Sequence, residues 1–223
     1  MNAGVCGTNA ICFKFKDGII TGIDTGANYG RLSIKDTNRI MQVTDNCVAA
    51  FSGLMSDISF LKKLIREELE ADNMRKMDPQ GIHKMVQRIL YAKRSQGRPL
   101  SVSVIISGIN RKQNKIFDVT DENGRMIGVA NSKGNFWFDE SVALSFASNF
   151  ALPLIRDKKL DEMSREEAVS FMEECLRVMC YRDTRSTNRI QISISDFFKT
   201  EVLEPYCIKT DWNVGLTDNE TVL

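Results

Sequence analysis

Asn9-Ala10-Ile11-Cys12-Phe13-Lys14-Phe15, then Lys16-Asp17-Gly18, then Ile19-Ile20-Thr21-Gly22-Ile23-Asp24 is the stretch whose reading decides the fold. Two short apolar segments flank a turn in which glycine supplies an unusual backbone angle, the signature of a β-hairpin. Arg39 to Val43 and Asn46 to Ser52 repeat the pattern around Thr44-Asp45-Asn46. From Ser56 the period changes. Phe60, Leu61, Leu64, Ile65 and Leu69 recur at three and four, the stripe of an amphipathic helix. A second helix starts at an Asp78 N-cap with Pro79 in its first turn, buries Ile82, Met85, Val86, Ile89 and Leu90, and ends before Gly97 and Pro99.

Strands return at Val102 to Ser107, Lys115 to Thr120 and Met126 to Val129, the last two joined by Asp121-Glu122-Asn123-Gly124. A helix over Ser145 to Asp157 carries Pro153 inside it, which predicts a kink. Ser164 and Glu167 form a capping-box pair ahead of a helix that buries Ala168, Phe171, Met172, Cys175, Leu176 and Met179. Arg189 to Ser195 and Thr200 to Leu203, around Phe197-Phe198-Lys199, close the chain with strands. Strands, two helices, strands, two helices, strands is an α+β order. It predicts a four-layer αββα sandwich, two antiparallel sheets between two helix layers.

The 223 residues, 43% hydrophobic, suit one large domain. Thirty basic against 29 acidic side chains exclude a global attraction to nucleic acid or an anionic membrane, so neither is expected as a partner. The six cysteines, Cys6, Cys12, Cys47, Cys175, Cys180 and Cys207, form no CxxC pair, and the single histidine, His83, has no ligand companion, so no metal or other cofactor is expected. A reduced, cytosolic or nuclear chain follows. Met1 to Gly7 is too short and polar for a signal peptide, and Asn219-Glu220-Thr221 carries no weight as a glycosylation site without one.

Asp24-Thr25-Gly26 matches the aspartic-protease triplet, whose chemistry needs a second carboxylate to share one proton, and the chain holds no second such triplet. Ser59-Phe60-Leu61-Lys62 matches SxxK, but Phe60 and Leu61 belong to a helix stripe and no KTG follows. Cys175 and Cys180 face apart on one helix and read as packing; Phe136-Trp137-Phe138 reads the same way.

Gly7-Thr8-Asn9, Phe13 to Gly18 and Ile23-Asp24, together with the late block Tyr181-Arg182-Asp183-Thr184-Arg185-Ser186-Thr187-Asn188-Arg189, resemble proteasome core-particle β-type subunits. Ala27-Asn28-Tyr29-Gly30 and Arg185-Ser186-Thr187-Asn188-Arg189 are similar to a non-catalytic subgroup, the seventh β-type kind of the eukaryotic ring. Similarity continues through Tyr91-Ala92-Lys93-Arg94-Ser95, Pro153-Leu154-Ile155-Arg156 and Asp211-Trp212-Asn213. The resemblance implies the N-terminal nucleophile hydrolase type of sandwich. It divides the chain into a pro-like segment 1–7, a domain 8–208 and a C-terminal extension 209–223. It also implies partners: other β subunits in a seven-membered ring, the facing ring and an α ring, in cytoplasm and nucleus.

In catalytic relatives, the resemblance implies, a threonine freed by self-cleavage attacks the peptide, its own amine acts as base, a lysine lowers the proton affinity, and a glycine N–H holds the oxyanion. Here Thr8 takes the nucleophile position, Asp24 the first carboxylate, and Asp183 with Ser186 the pair that supports the amine. The lysine position, with a one-residue gap, falls on Arg39, which is permanently charged and bulkier. The oxyanion glycine falls on Ser52, Gly-x-Gly reads Ser145-Phe146-Ala147, and Thr187-Asn188 replaces Gly-Gly. A degenerate site is therefore expected, with Thr8 left internal. Trp212 is expected to anchor a C-terminal clamp onto other β subunits.

Overall fold

The computed structural model describes residues 4–71, 77–110 and 119–213. A two-residue strand, β1 (Cys6–Gly7), leads into the hairpin of β2 (Ala10–Phe15) and β3 (Gly18–Asp24). Short strands β4 (Ala27–Tyr29) and β5 (Leu32–Ile34) precede the second hairpin, β6 (Ile40–Thr44) and β7 (Cys47–Leu54). Helices α1 (Met55–Ala71) and α2 (Pro79–Ser95) follow, then β8 (Val102–Ile109), β9 (Arg125–Ala130), β10 (Phe136–Phe138) and β11 (Ser141–Leu144). The chain continues through α3 (Ala147–Arg156), α4 (Arg165–Arg182), β12 (Arg189–Asp196), β13 (Thr200–Val202) and β14 (Tyr206–Cys207).

All strand pairs described are antiparallel and fall into two sheets. One runs β10-β9-β8-β7-β1-β4-β5, with β6 also on β7; the other runs β11-β2-β3-β12-β13, with β14 also on β12. Strand alternation then builds three cores. On β2, Ile11, Phe13 and Phe15 face α3 and α4, whereas Ala10 and Cys12 face the other sheet. On β7, Cys47, Ala49 and Phe51 face α1 and α2, whereas Val48 and Ala50 face inward. β2 and β7 are buried on both faces, so apart from Lys14 and Ser52 they read as apolar runs rather than alternating ones. The layers are helix, sheet, sheet, helix, as the element order predicts.

Local signals hold closely. Asp78 accepts a hydrogen bond from Gly81 N at 2.7 Å to start α2, and Ser164 and Glu167 complete the capping box of α4. Pro153 stands inside α3, which is shorter than predicted. Gly18 departs from its predicted role. It lies in β3 with no positive φ, and the turn is Lys16-Asp17 alone. Glycine is required there because a Cβ would come within 2.3 Å of the Ser195 carbonyl oxygen across the β3–β12 pair. The predicted strand at Lys115 to Thr120 lies mostly outside the described residues, and β1, β4, β5, β10, β11 and β14 were not predicted. These are two to four residues long, too short to show a period.

Among the described residues, no helix is long and apolar enough to cross a membrane, and no group of acidic, histidine or cysteine side chains could hold a metal ion. His83, buried on α2, bonds through Nε2 to the Val129 carbonyl at 3.1 Å and packs on Phe138 at 4.7 Å between ring centroids. Burial pushes its imidazole below the ordinary 6.5, and the Val129 contact only partly offsets this. The folded protein holds the ring neutral, while the unfolded chain takes up a proton as pH falls through 6.5. Denaturant unfolding should therefore show stability decreasing between about pH 7 and pH 5.5, and His83→Asn should flatten that slope.

Candidate active site

The edge of β7 changes partner midway. β6 pairs with Cys47 to Ala50, and β1 takes over at Gly53 and Leu54. Arg39 stands at this junction, its carbonyl accepting from Phe51 N at 2.9 Å, and its side chain is completely buried. Nη1 donates to the carbonyls of Asn9 and Phe51, each at 3.1 Å. Nη2 donates to Asp24 Oδ1 at 2.8 Å and to the Asp24 carbonyl. The planar guanidinium thus joins the end of β3, the entry to β2 and the edge of β7, which belong to both sheets. Complete burial pushes the Asp24 carboxyl above its ordinary 3.8, and the Arg39 charge together with Gly26 N–H, 3.2 Å away, pulls it back.

Gly7 makes room for this arginine. A Cβ there would lie 2.2 Å from Arg39 Cδ and 2.5 Å from Nε. The segment carrying Gly7 is laced into the sheet: Cys6 pairs with Leu54 on one side and Asn28 on the other, Gly7 pairs with Gly53, and Met55 N donates to the Val5 carbonyl at 2.8 Å. Residues before Thr8 therefore form the strand that joins β4 and β5 to β7.

Thr8 is buried, and its Oγ1 lies 3.5 Å from Asp183 Oδ2, at the outer limit of a hydrogen bond. The same oxygen accepts from Asn9 Nδ2 at 2.8 Å, and Asn9 Oδ1 accepts from Ala147 N at 3.2 Å. Asp183 caps the C-terminus of α4, and its Oδ1 accepts from Arg185 N at 3.0 Å. Ser186 N donates to the Asp183 carbonyl at 2.9 Å, whereas the buried Ser186 Oγ has no hydrogen-bond partner among the described residues. Ser52 Oγ donates to the Thr8 carbonyl and lies 3.5 Å from that of Gly7. The glycine of this stretch is the next residue, Gly53, at φ +131° and opposite Gly7. Ser145 adopts φ +61°, a conformation that suits glycine.

Thr8, Asp24, Arg39, Ser52, Asp183 and Ser186 thus gather where the two sheets meet. Trp212 stands apart on the surface: its ring meets Tyr181 of α4 edge-on at 4.9 Å, and Asp211 N donates to Tyr181 Oη at 2.7 Å. Asn9 and Gly7, which entered the sequence reading only as neighbours of Thr8 in a motif, are site residues whose roles it did not assign. The available signals were a polar residue opening a fully buried strand and a glycine directly before Thr8. As long as Gly7 is joined to Thr8, the Thr8 nitrogen is a peptide amide and has no basic lone pair. Lys62, whose ammonium is lowered to about 8 chiefly by burial and by the charges of Arg66 and Arg39, donates to Asn38 rather than to Thr8.

The chain matches the proteasome subunit family model over residues 5–195. It is 39% identical over 223 residues to the probable proteasome subunit beta type-7 of Encephalitozoon cuniculi, covering 98% of each chain. It is 29% identical to proteasome subunit beta type-4 of Arabidopsis thaliana, covering 97% of this chain and 86% of that one. A more distant likeness, 24% identity over 73% of this chain and 61% of the relative, is to the proteasome subunit alpha of Methanococcus vannielii. The chain belongs to the proteasome subunit family, as a β-type member.

Proposed function

We propose that this β subunit is non-catalytic and serves the assembly of the chamber in which other subunits degrade proteins. The observation that carries this reading is the incorporation of Cys6–Gly7 as a strand between β4 and β7, with Arg39 packed on Gly7. Freeing Thr8 would cut the chain at the end of a strand paired on both sides, and Arg39 is read as taking the position of the lysine of catalytic relatives. Ser52 Oγ donates to the carbonyl of the adjoining Thr8–Asn9 peptide and lies 3.5 Å from the Gly7 carbonyl of the peptide that would have to break. Family membership displaces the aspartic-protease reading of Asp24, whose carboxylate is bound to a guanidinium and so is not one of a proton-sharing pair.

The reading places the chain in a seven-membered β ring, against the facing ring and an α ring, in cytoplasm and nucleus. Side contacts with two different neighbours follow from ring geometry. Trp212, 67% exposed beyond its contact with Tyr181, begins a C-terminal segment proposed to clamp other β subunits; residues 214–223 lie outside the described residues.

N-terminal sequencing of the subunit from assembled particles should find no chain beginning at Thr8, and a threonine-directed electrophile should leave it unlabelled. Labelling would restore the alternative, an active endopeptidase using Thr8. Arg39→Lys should also remain unlabelled, because the Gly7–Thr8 peptide still blocks the amine. Arg39→Met strands the Asp24 carboxylate and should destabilise the subunit by about 3–5 kcal/mol in denaturant unfolding. Deleting residues 210–223 should lower the yield of complete double-ring particles in native electrophoresis; an unchanged yield would refute the clamp.

A further inference from the structure

At the opposite end of β2 and β3 from Asn9 and Asp24, a cleft of about 800 Å3 opens between the β2–β3 turn, the 120–125 loop and the β12–β13 turn. Two phenylalanines on its rim are unusually bare: Phe197 is 53% and Phe198 86% exposed, with rings 5.9 Å apart and nearly perpendicular. The turn that presents them is rigidly held. Asp196 Oδ1 accepts from both Phe198 N and Lys199 N at 2.8 Å, and its other oxygen pairs with Arg165 at 3.3 Å. Such a pre-ordered aromatic tip loses little conformational freedom on binding.

The rest of the lining sets the charge of what fits. Carboxylates at Asp17, Asp121, Glu122 and Asp196 face cations at Lys16 and Arg125. Asp121 is already held by Arg125 at 2.6 Å and Lys14 at 3.3 Å, and Asp196 by Arg165. Asp17 and Glu122 have no ion-pair partner among the described residues, nor has Lys16, so the uncommitted charge of the lining is net negative. Exposed phenyl faces beside uncommitted carboxylates suit a cation on an aliphatic stem: the stem covers the rings, the charge meets both the ring faces and the carboxylates. An anionic partner such as nucleic acid is repelled by the same groups.

We propose that this cleft is a docking site for a basic, extended segment of another protein, seating an arginine or lysine side chain between Phe197–Phe198 and the Asp17–Glu122 carboxylates. The test is fluorescence anisotropy on the assembled complex containing the full chain, with a fluorescein-labelled Gly-Arg-Gly-Arg-Gly peptide as probe and its leucine analogue as control. Phe198→Ser, and separately the Asp17→Asn, Glu122→Gln pair, should each weaken binding about tenfold, and the leucine peptide should bind no better than the paired variant. Both changes lie on exposed side chains, and unchanged particle yield checks that assembly is intact. No binding of the arginine peptide, equal binding of the leucine peptide, or insensitivity to Phe198→Ser would each overturn the proposal; the last would leave only a diffuse acidic surface. Replacing Arg111, Lys112 and Lys115 by alanine tests an occupant from the chain itself. Tighter peptide binding by that variant would overturn the assignment to another protein.

Discussion

A guanidinium buried between two sheets must have its charge and its N–H groups answered locally, because water is excluded and an unpaired charge there costs several kcal/mol. Arg39 meets most of that demand through Nη1 and Nη2, with the Asp24 carboxylate and three backbone carbonyls, those of Asn9, Asp24 and Phe51, while its buried Nε has no hydrogen-bond partner among the described residues. The consequences spread outward. Gly7 must lack a side chain, Asn9 must present its carbonyl inward while its amide turns to Asp183, and the β7 edge must switch from β6 to β1 beside Arg39. A buried ion pair contributes little net stability compared with apolar packing, but it strongly penalises every arrangement that leaves either charge alone. Here it ties the register of one sheet to the other at the end where Thr8 lies.

The same contact lies beside the threonine site. Thr8 retains Asp183 and Asn9 around it, so the framework of a nucleophile site persists. In the proposed reading the proton chemistry differs, with the permanently charged Arg39 in the lysine position and the Thr8 nitrogen held in a peptide bond next to a paired strand. Ser52 adds a hydroxyl donor to the carbonyl of Thr8 itself. Arg39, the glycine that accommodates it and the strand that carries that glycine fit together as one local structure. Gly53 stands directly after Ser52 at φ +131°, so the proposed reading leans on Arg39 and β1 more than on a lost oxyanion glycine.

The opposite end of the sandwich is built on different physics. Lys14, buried on β2, is held by Glu140 at 2.9 Å and Asp121 at 3.3 Å, and Arg125 pairs with that same Asp121. Burial alone would raise the Asp121 carboxyl, but the Arg125 backbone and side-chain donors, with the Lys14 charge, hold it below 3.8. Ionic contacts therefore close both ends of the inter-sheet core, while Ala10, Val48, Ile105 and Ile127 fill its middle.

By itself the sequence determined the layers, because hairpins, capping residues and helix stripes are local and their periods survive without tertiary contacts: Asp78, the Ser164–Glu167 box and the β2–β3 hairpin all stand where local rules put them. Thr8, Asp24, Arg39, Ser52, Asp183 and Ser186 were named as one set only through the family resemblance that the ordered motifs carry. Only the tertiary structure decided that Cys6–Gly7 is a strand, since two residues carry no period and pair solely because β7 and β4 offer edges on either side. The same holds for Gly18, kept free of a side chain by the Ser195 carbonyl rather than by the turn, and for Asn9, whose three partners come from Arg39, Ala147 and Asp183. Contacts between residues far apart in the chain leave no periodic trace in it, and those contacts are what turn a list of motif residues into a site.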